Sequence, residues 1–97
     1  MEPLSAKDLT LNIAVNLGRL GRFAMDGRRH RLDQFLSETE RFVEELEKVS
    51  KSNRFQPTYI FFKEKFKVMK NNVACTPDWA EEAFTWANIL SHRAKLT

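Results

Sequence analysis

Two histidines, one cysteine and a run of arginines carry most of the chemistry this chain has to offer, and their spacing decides how much of it is usable. A carboxylate-bridged di-metal site in a helical protein needs Glu-x-x-His pairs projecting inward from facing helices. Neither histidine fits: Gly27 stands three residues before His30, and Ile89 three before His92. Cys75 has no histidine or acid at a recognisable spacing for a thiol nucleophile, and there is no Gly-x-Ser-x-Gly elbow. Ser91 and His92 are neighbours, so on a helix they point in different directions. Gly18, Gly21 and Gly27 are not followed by the Lys-Ser/Thr of a phosphate-cradling loop. A single cysteine excludes both an internal disulfide and a cysteine cluster for zinc. No catalytic, metal-binding or cofactor-binding residue is therefore assigned, no small-molecule substrate is inferred, and a non-enzymatic role is expected.

The arginines offer a different chemistry. Arg19, Arg22, Arg28, Arg29 and Arg31, with His30 among them, bracket an Asp26-Gly27 break. Guanidinium groups make bidentate, charge-assisted bonds to phosphate, so this corner is a candidate anion or nucleic-acid contact. Lys63, Lys65, Lys67 and Lys70 do not extend it into one stripe, because they point to several sides of a helix. The formal net charge is +3, and it is unevenly spread. Residues 1–31 hold six basic and three acidic side chains, residues 32–50 two and six, residues 51–75 six and one, and residues 76–97 two and three. The sign alternates from segment to segment, and complementary packing between neighbouring helices is enough to explain it.

Four amphipathic segments position these residues. Ser5 is a good N-cap for a first helix over 5–25, whose inner side is Leu9, Ile13, Leu17, Leu20 and Ala24. Asp-Gly ends it, and a second helix is predicted over 28–51. That helix has the clearest pattern in the chain. Leu32, Phe35, Thr39, Phe42, Leu46 and Val49 recur in steps of three and four, widened by Leu36 and Val43, with Asp33, Glu38, Glu40, Glu44, Glu45 and Glu47 on the other side. It is expected to be the central element, with Phe42 in the core. Pro57 starts a third helix over 57–71, with an inner stripe of Phe55, Tyr59, Phe62, Phe66, Met69 and Val73. Thr76-Pro77-Asp78 starts a fourth over 77–95, lined by Ala80, Ala83, Ala87, Leu90 and Ala94. Large residues on the third helix and small ones on the fourth suggest that these two pack closely, with Phe62 and Phe66 over Ala83 and Ala87. Cys75 is expected to be half-buried between them. The short connections imply one domain over 1–97, an all-α antiparallel four-helix bundle of up-down-up-down topology.

Apolar surface is left over. Leu4, Leu11, Val15, Gly18 and Met25 form a second stripe on the first helix, and Phe61 and Val68 a smaller one on the third. A helix with two apolar faces needs two neighbours. The second stripe is either wrapped by the bulk of helices 3 and 4 or meets a partner, such as another copy of the chain. Trp79 and Trp86 suit either the core or an interface. Gly18 and Gly21 point to close packing or to a bend. The start MEPLSAKDL lacks the basic and apolar regions of an export signal, and no apolar run reaches the roughly 18 residues of a membrane span. A cytoplasmic interaction or adaptor module, self-associating and without a membrane contact, is the expected role, with nucleic-acid binding through the arginine corner as the alternative.

Overall fold

The computed structural model describes residues 4–97. Four helices account for most of them: α1 (Ala6–Met25), α2 (Arg29–Lys48), α3 (Gln56–Asn71) and α4 (Pro77–Arg93), followed by a 3₁₀ turn at Ala94–Leu96. The described residues contain no strand. The ends follow local chemistry. Ser5 Oγ accepts from the Asp8 amide at 3.1 Å and Thr76 Oγ1 from the Trp79 amide at 3.3 Å, each satisfying a donor that the first helical turn leaves unpaired. Gly27, at φ 70°, closes α1. The Arg28 amide donates to the Phe23 carbonyl at 2.9 Å and the Gly27 amide to Ala24 at 3.2 Å, a Schellman motif that needs the left-handed residue. α2 ends without a glycine. The Lys51 ammonium does that work, donating to the carbonyls of Leu46 at 2.6 Å and Val49 at 2.7 Å.

Consecutive helices meet in opposite sequence order, which makes them antiparallel neighbours. The rings of Phe23 and Phe35 meet at a tilt across the short α1–α2 turn, their centroids 5.4 Å apart. Glu47 pairs with Lys63 and Glu40 with Lys70 between α2 and α3. Thr58 meets Arg93, Phe62 meets Trp86, and the Trp79 indole donates to the Met69 carbonyl between α3 and α4. The chain's end is tied back to the α2–α3 connection, where the Ser52 hydroxyl donates to the Leu96 carbonyl and its amide to Thr97 at 3.2 Å.

The central element is α1 rather than α2. α1 buries Leu9, Thr10, Ile13, Ala14, Asn16, Leu17, Leu20, Gly21 and Ala24, whereas α2 buries only Leu32, Leu36, Thr39 and Leu46. The closest helix pair is α1 with α4, then α1 with α2; α3 stands off from both of its neighbours. The expected close packing of helices 3 and 4 is therefore corrected. The alanines of α4 and Gly21 of α1 let those two backbones approach, while the rings of Tyr59, Phe62 and Phe66 hold α3 at side-chain distance. Phe42 is half-buried, not core, because α2 is flanked by α1 on one side and an open α3 seam on the other. Trp79 and Trp86 are core. Cys75 is exposed in the α3–α4 connection rather than half-buried.

The two helical glycines have different reasons to be glycine. A Cβ on Gly21 would lie 2.6 Å from the Phe84 ring, whereas one on Gly18 meets nothing within 4 Å. Gly18→Ala is therefore expected to raise the stability of the isolated chain by up to about 1 kcal/mol, the helix-propensity difference. Gly21→Ala gains the same propensity but must expel the Phe84 ring, so its net effect is neutral to unfavourable. Thermal unfolding of the two variants at low concentration separates these outcomes.

Candidate docking surfaces and a basic corner

Helical periodicity places the left-over apolar residues, and burial shows which of them the fold does not use. On α1, Leu11 is 37% exposed, Val15 54% and Met25 57%, with Leu4 at 41% just before the helix. Helices 3 and 4 do not wrap this stripe. α2 lies along one of its flanks, through Phe23 and Phe35, and α4 along the other, through Phe84 over Gly21. Gly21 is three residues from Gly18 and four from Met25, so the Phe84 ring, itself 40% exposed, borders the ridge. The result is a ridge of Leu11, Val15 and Met25 with Phe84 at its edge, an open notch at Gly18, and the exposed Leu4 in the segment that leads into the helix.

The second surface is on α3. Phe61 and Val68 are joined by Ile60, each nearly 60% exposed. The Phe61 ring is not loose. Its centroid sits 5.6 Å from that of Trp86, and the Lys65 ammonium lies 5.6 Å above it. Ile60 and Phe84 are additions to the residues read from the sequence. Ile60 is hidden in the run TYIFF, where any phase of a helix finds an apolar residue. Phe84 reads as the edge of the inner stripe of α4, and only the glycine beneath it sends it outward.

Because α3 stands off α2, an open groove runs between them, bridged by the Glu40–Lys70 pair and by a polar cluster around Glu47. Lys63 Nζ lies 2.7 Å from Glu47 Oε1, and the Tyr59 hydroxyl donates to the other carboxylate oxygen of Glu47. Lys51 and Lys63 hold their ammonium groups 4.6 and 5.8 Å from the Tyr59 ring centroid. On either side of this bridge the groove opens into clefts of about 620 and 650 Å³. The hydrogen bonds from Lys63 and Tyr59 hold the Glu47 carboxyl below its ordinary value. Burial, then the bond to Glu47, pushes the Tyr59 phenol above its ordinary value.

A raised phenol contributes stability that is present below its unfolded value of 10.0 and is lost as the pH climbs through the folded value. Urea midpoints should thus fall above about pH 10 in the native chain, and this alkaline limb should flatten in Tyr59→Phe. Tyr59 is the chain's one tyrosine, so ultraviolet titration of the phenolate reports it alone.

Arg19 and Arg22 lie in the last two turns of α1, and Arg28, Arg29 and Arg31 at the start of α2, in differing states. Arg19 donates to Asn16 Oδ1 at 3.3 Å and lies over the Phe35 ring. Arg29 is paired with Asp33 at 3.0 Å. Among the described residues, Arg22, Arg28 and Arg31 make no ion pair or side-chain hydrogen bond. The expected charge complementarity is present between α2 and α3, where Glu47 meets Lys63 and Glu40 meets Lys70.

His30 opens α2 and His92 closes α4, both exposed. The described residues contain no group of three or more histidines, cysteines or acids able to hold a metal ion. Among the described helices, none is long and apolar enough to cross a membrane. Comparison with known protein families, curated proteins and solved structures gives no match for the chain.

Proposed function

We propose that this chain is a non-enzymatic protein-interaction module of the cytoplasm that associates with itself. The observation that carries the reading is the α1 ridge: large apolar side chains stay outside a bundle whose core is complete without them. Exposed apolar residues gathered on one face, rather than scattered singly, mark interaction surfaces. Phe84 and Phe61 are the aromatic anchors such surfaces use, and both are held against the fold, by Gly21 and by Trp86 respectively. Sedimentation over a wide concentration range tests the reading. A concentration-dependent dimer supports it, and a monomer at every concentration up to the solubility limit removes the self-association.

A second reading rests on Arg22, Arg28 and Arg31, whose charges are not committed to a carboxylate. They suit phosphates at the α1–α2 corner, and such binding would weaken steeply with salt. Titration of labelled RNA and DNA at low and moderate salt decides it: no binding at low salt eliminates this reading.

A further inference from the structure

We infer that the α1 ridge takes a second copy of this chain with the two α1 helices antiparallel, Val15 near the two-fold axis and Asp8 of each copy beside Arg22 of the other. This inference rests on the self-association proposed above and adds its face, its direction and its charge pairing. Asp8, Leu11, Val15, Gly18, Arg22 and Met25 follow one another in alternating steps of three and four, the seam spacing of paired helices. All but Gly18 are exposed, and Gly18 is open above its Cα.

The contents of the seam choose the direction. A parallel pair would set Arg22 on Arg22, Asp8 on Asp8 and the notch of Gly18 on itself. Turning one copy round brings the first half of each seam onto the second half of the other. Leu11 then faces the Gly18 notch, and Asp8 faces Arg22. The carboxylate is not committed elsewhere: among the described residues neither Asp8 nor Arg22 has an ion-pair partner. Arg19 lies on the same flank of the seam as Asp8, which adds a second cation near it. Lys7 lies on the other flank, towards α4. The two copies of Phe84, beside Gly21, extend the contact along that flank.

One helix face with one ring is smaller than the roughly 800 Å² per partner of a standard specific interface. A contact of this size is expected to be weak, so the test must reach several hundred micromolar.

The test combines a charge exchange with cross-linking. Asp8→Arg and Arg22→Asp should each weaken the dimer by roughly tenfold, since two symmetry-related pairs turn from attractive to repulsive. The double variant restores the pairing with the signs reversed and should return the dissociation constant to within a few-fold of the native one. Folding of each variant is checked by circular dichroism. In a Cys75→Ser background, Val15→Cys should be joined by a short bismaleimide and Phe61→Cys should not. A dimer that joins through Phe61→Cys and not Val15→Cys overturns this inference and leaves self-association standing. Failure of the double exchange to restore what the single exchanges lose overturns the antiparallel register. A native chain that stays monomeric throughout overturns both the inference and the self-association it rests on.

Discussion

Leu17→Ala is expected to destabilise the chain by about 3–5 kcal/mol, the range for truncating a fully buried leucine that cannot be covered by relaxation. Leu17 has no exposed surface and sits midway along the one helix that packs on two close neighbours, α2 and α4. A void there lies inside the core, and α1 cannot shift towards one neighbour without leaving the other. With net stabilities of about 5–15 kcal/mol for a domain, the change removes a large part of the total. Urea unfolding followed by the fluorescence of Trp79 and Trp86, both buried, measures it directly. The comparison is Phe42→Ala in α2. Its larger side chain would cost at least as much if α2 were the central helix, but it is half-buried and should fall clearly below Leu17→Ala. The reverse order would mean that α2, not α1, organises the core.

Phe62→Ala is expected to cost a similar amount, about 3–5 kcal/mol, and its neighbour Phe61→Ala no more than about 1 kcal/mol. Phe62 is fully buried, with its ring centroid 5.5 Å from Phe66 and 5.4 Å from Trp86. α3 is held away from the other backbones, so these rings are its main attachment to α4. Removing Phe62 takes away transfer free energy and two aromatic contacts, and leaves Trp86 with a void beside it. Phe61 also touches Trp86, at 5.6 Å, yet is 58% exposed. The two residues share a helix and a backbone environment, so the contrast isolates burial. Equal losses would mean that the outer face of α3 belongs to the core and is not a docking surface.

The number of helices, their type and their ends were legible because local signals agree: Ser5, Thr76-Pro77 and Asp26-Gly27 each punctuate a periodic apolar run. What periodicity does not report is which helix lies against which. α2 has the cleanest two-sided pattern because it has one apolar face to bury and one acidic face in water. α1 is ambiguous because it is sandwiched between two helices and still shows Leu11 and Val15 to solvent. An apolar stripe reads the same whether it meets another helix or water, so the centre of the bundle was misassigned. The alanines of α4 signalled close approach correctly, but to α1 rather than α3; spacing along one helix does not name its partner. The cover of Gly21 by Phe84 depends on a contact across the chain and leaves no local trace, whereas the capping of α2 by Lys51 reaches back only two to five residues. The basic corner was visible as composition, and the pairing of Arg29 with Asp33 is an i,i+4 contact that helical spacing shows, while the placement of Arg19 over Phe35 appears only in three dimensions.

The claim that joins fold to function is that the outer face of α1 is dispensable for folding and used for association. Sedimentation velocity of Val15→Glu beside the native chain, at several hundred micromolar, puts it to the most direct test. The account predicts a native dimer and a folded monomeric variant, because Val15 is 54% exposed in the isolated chain yet lies at the centre of the paired ridge. Identical sedimentation of the two proteins, both dimers or both monomers, would contradict it.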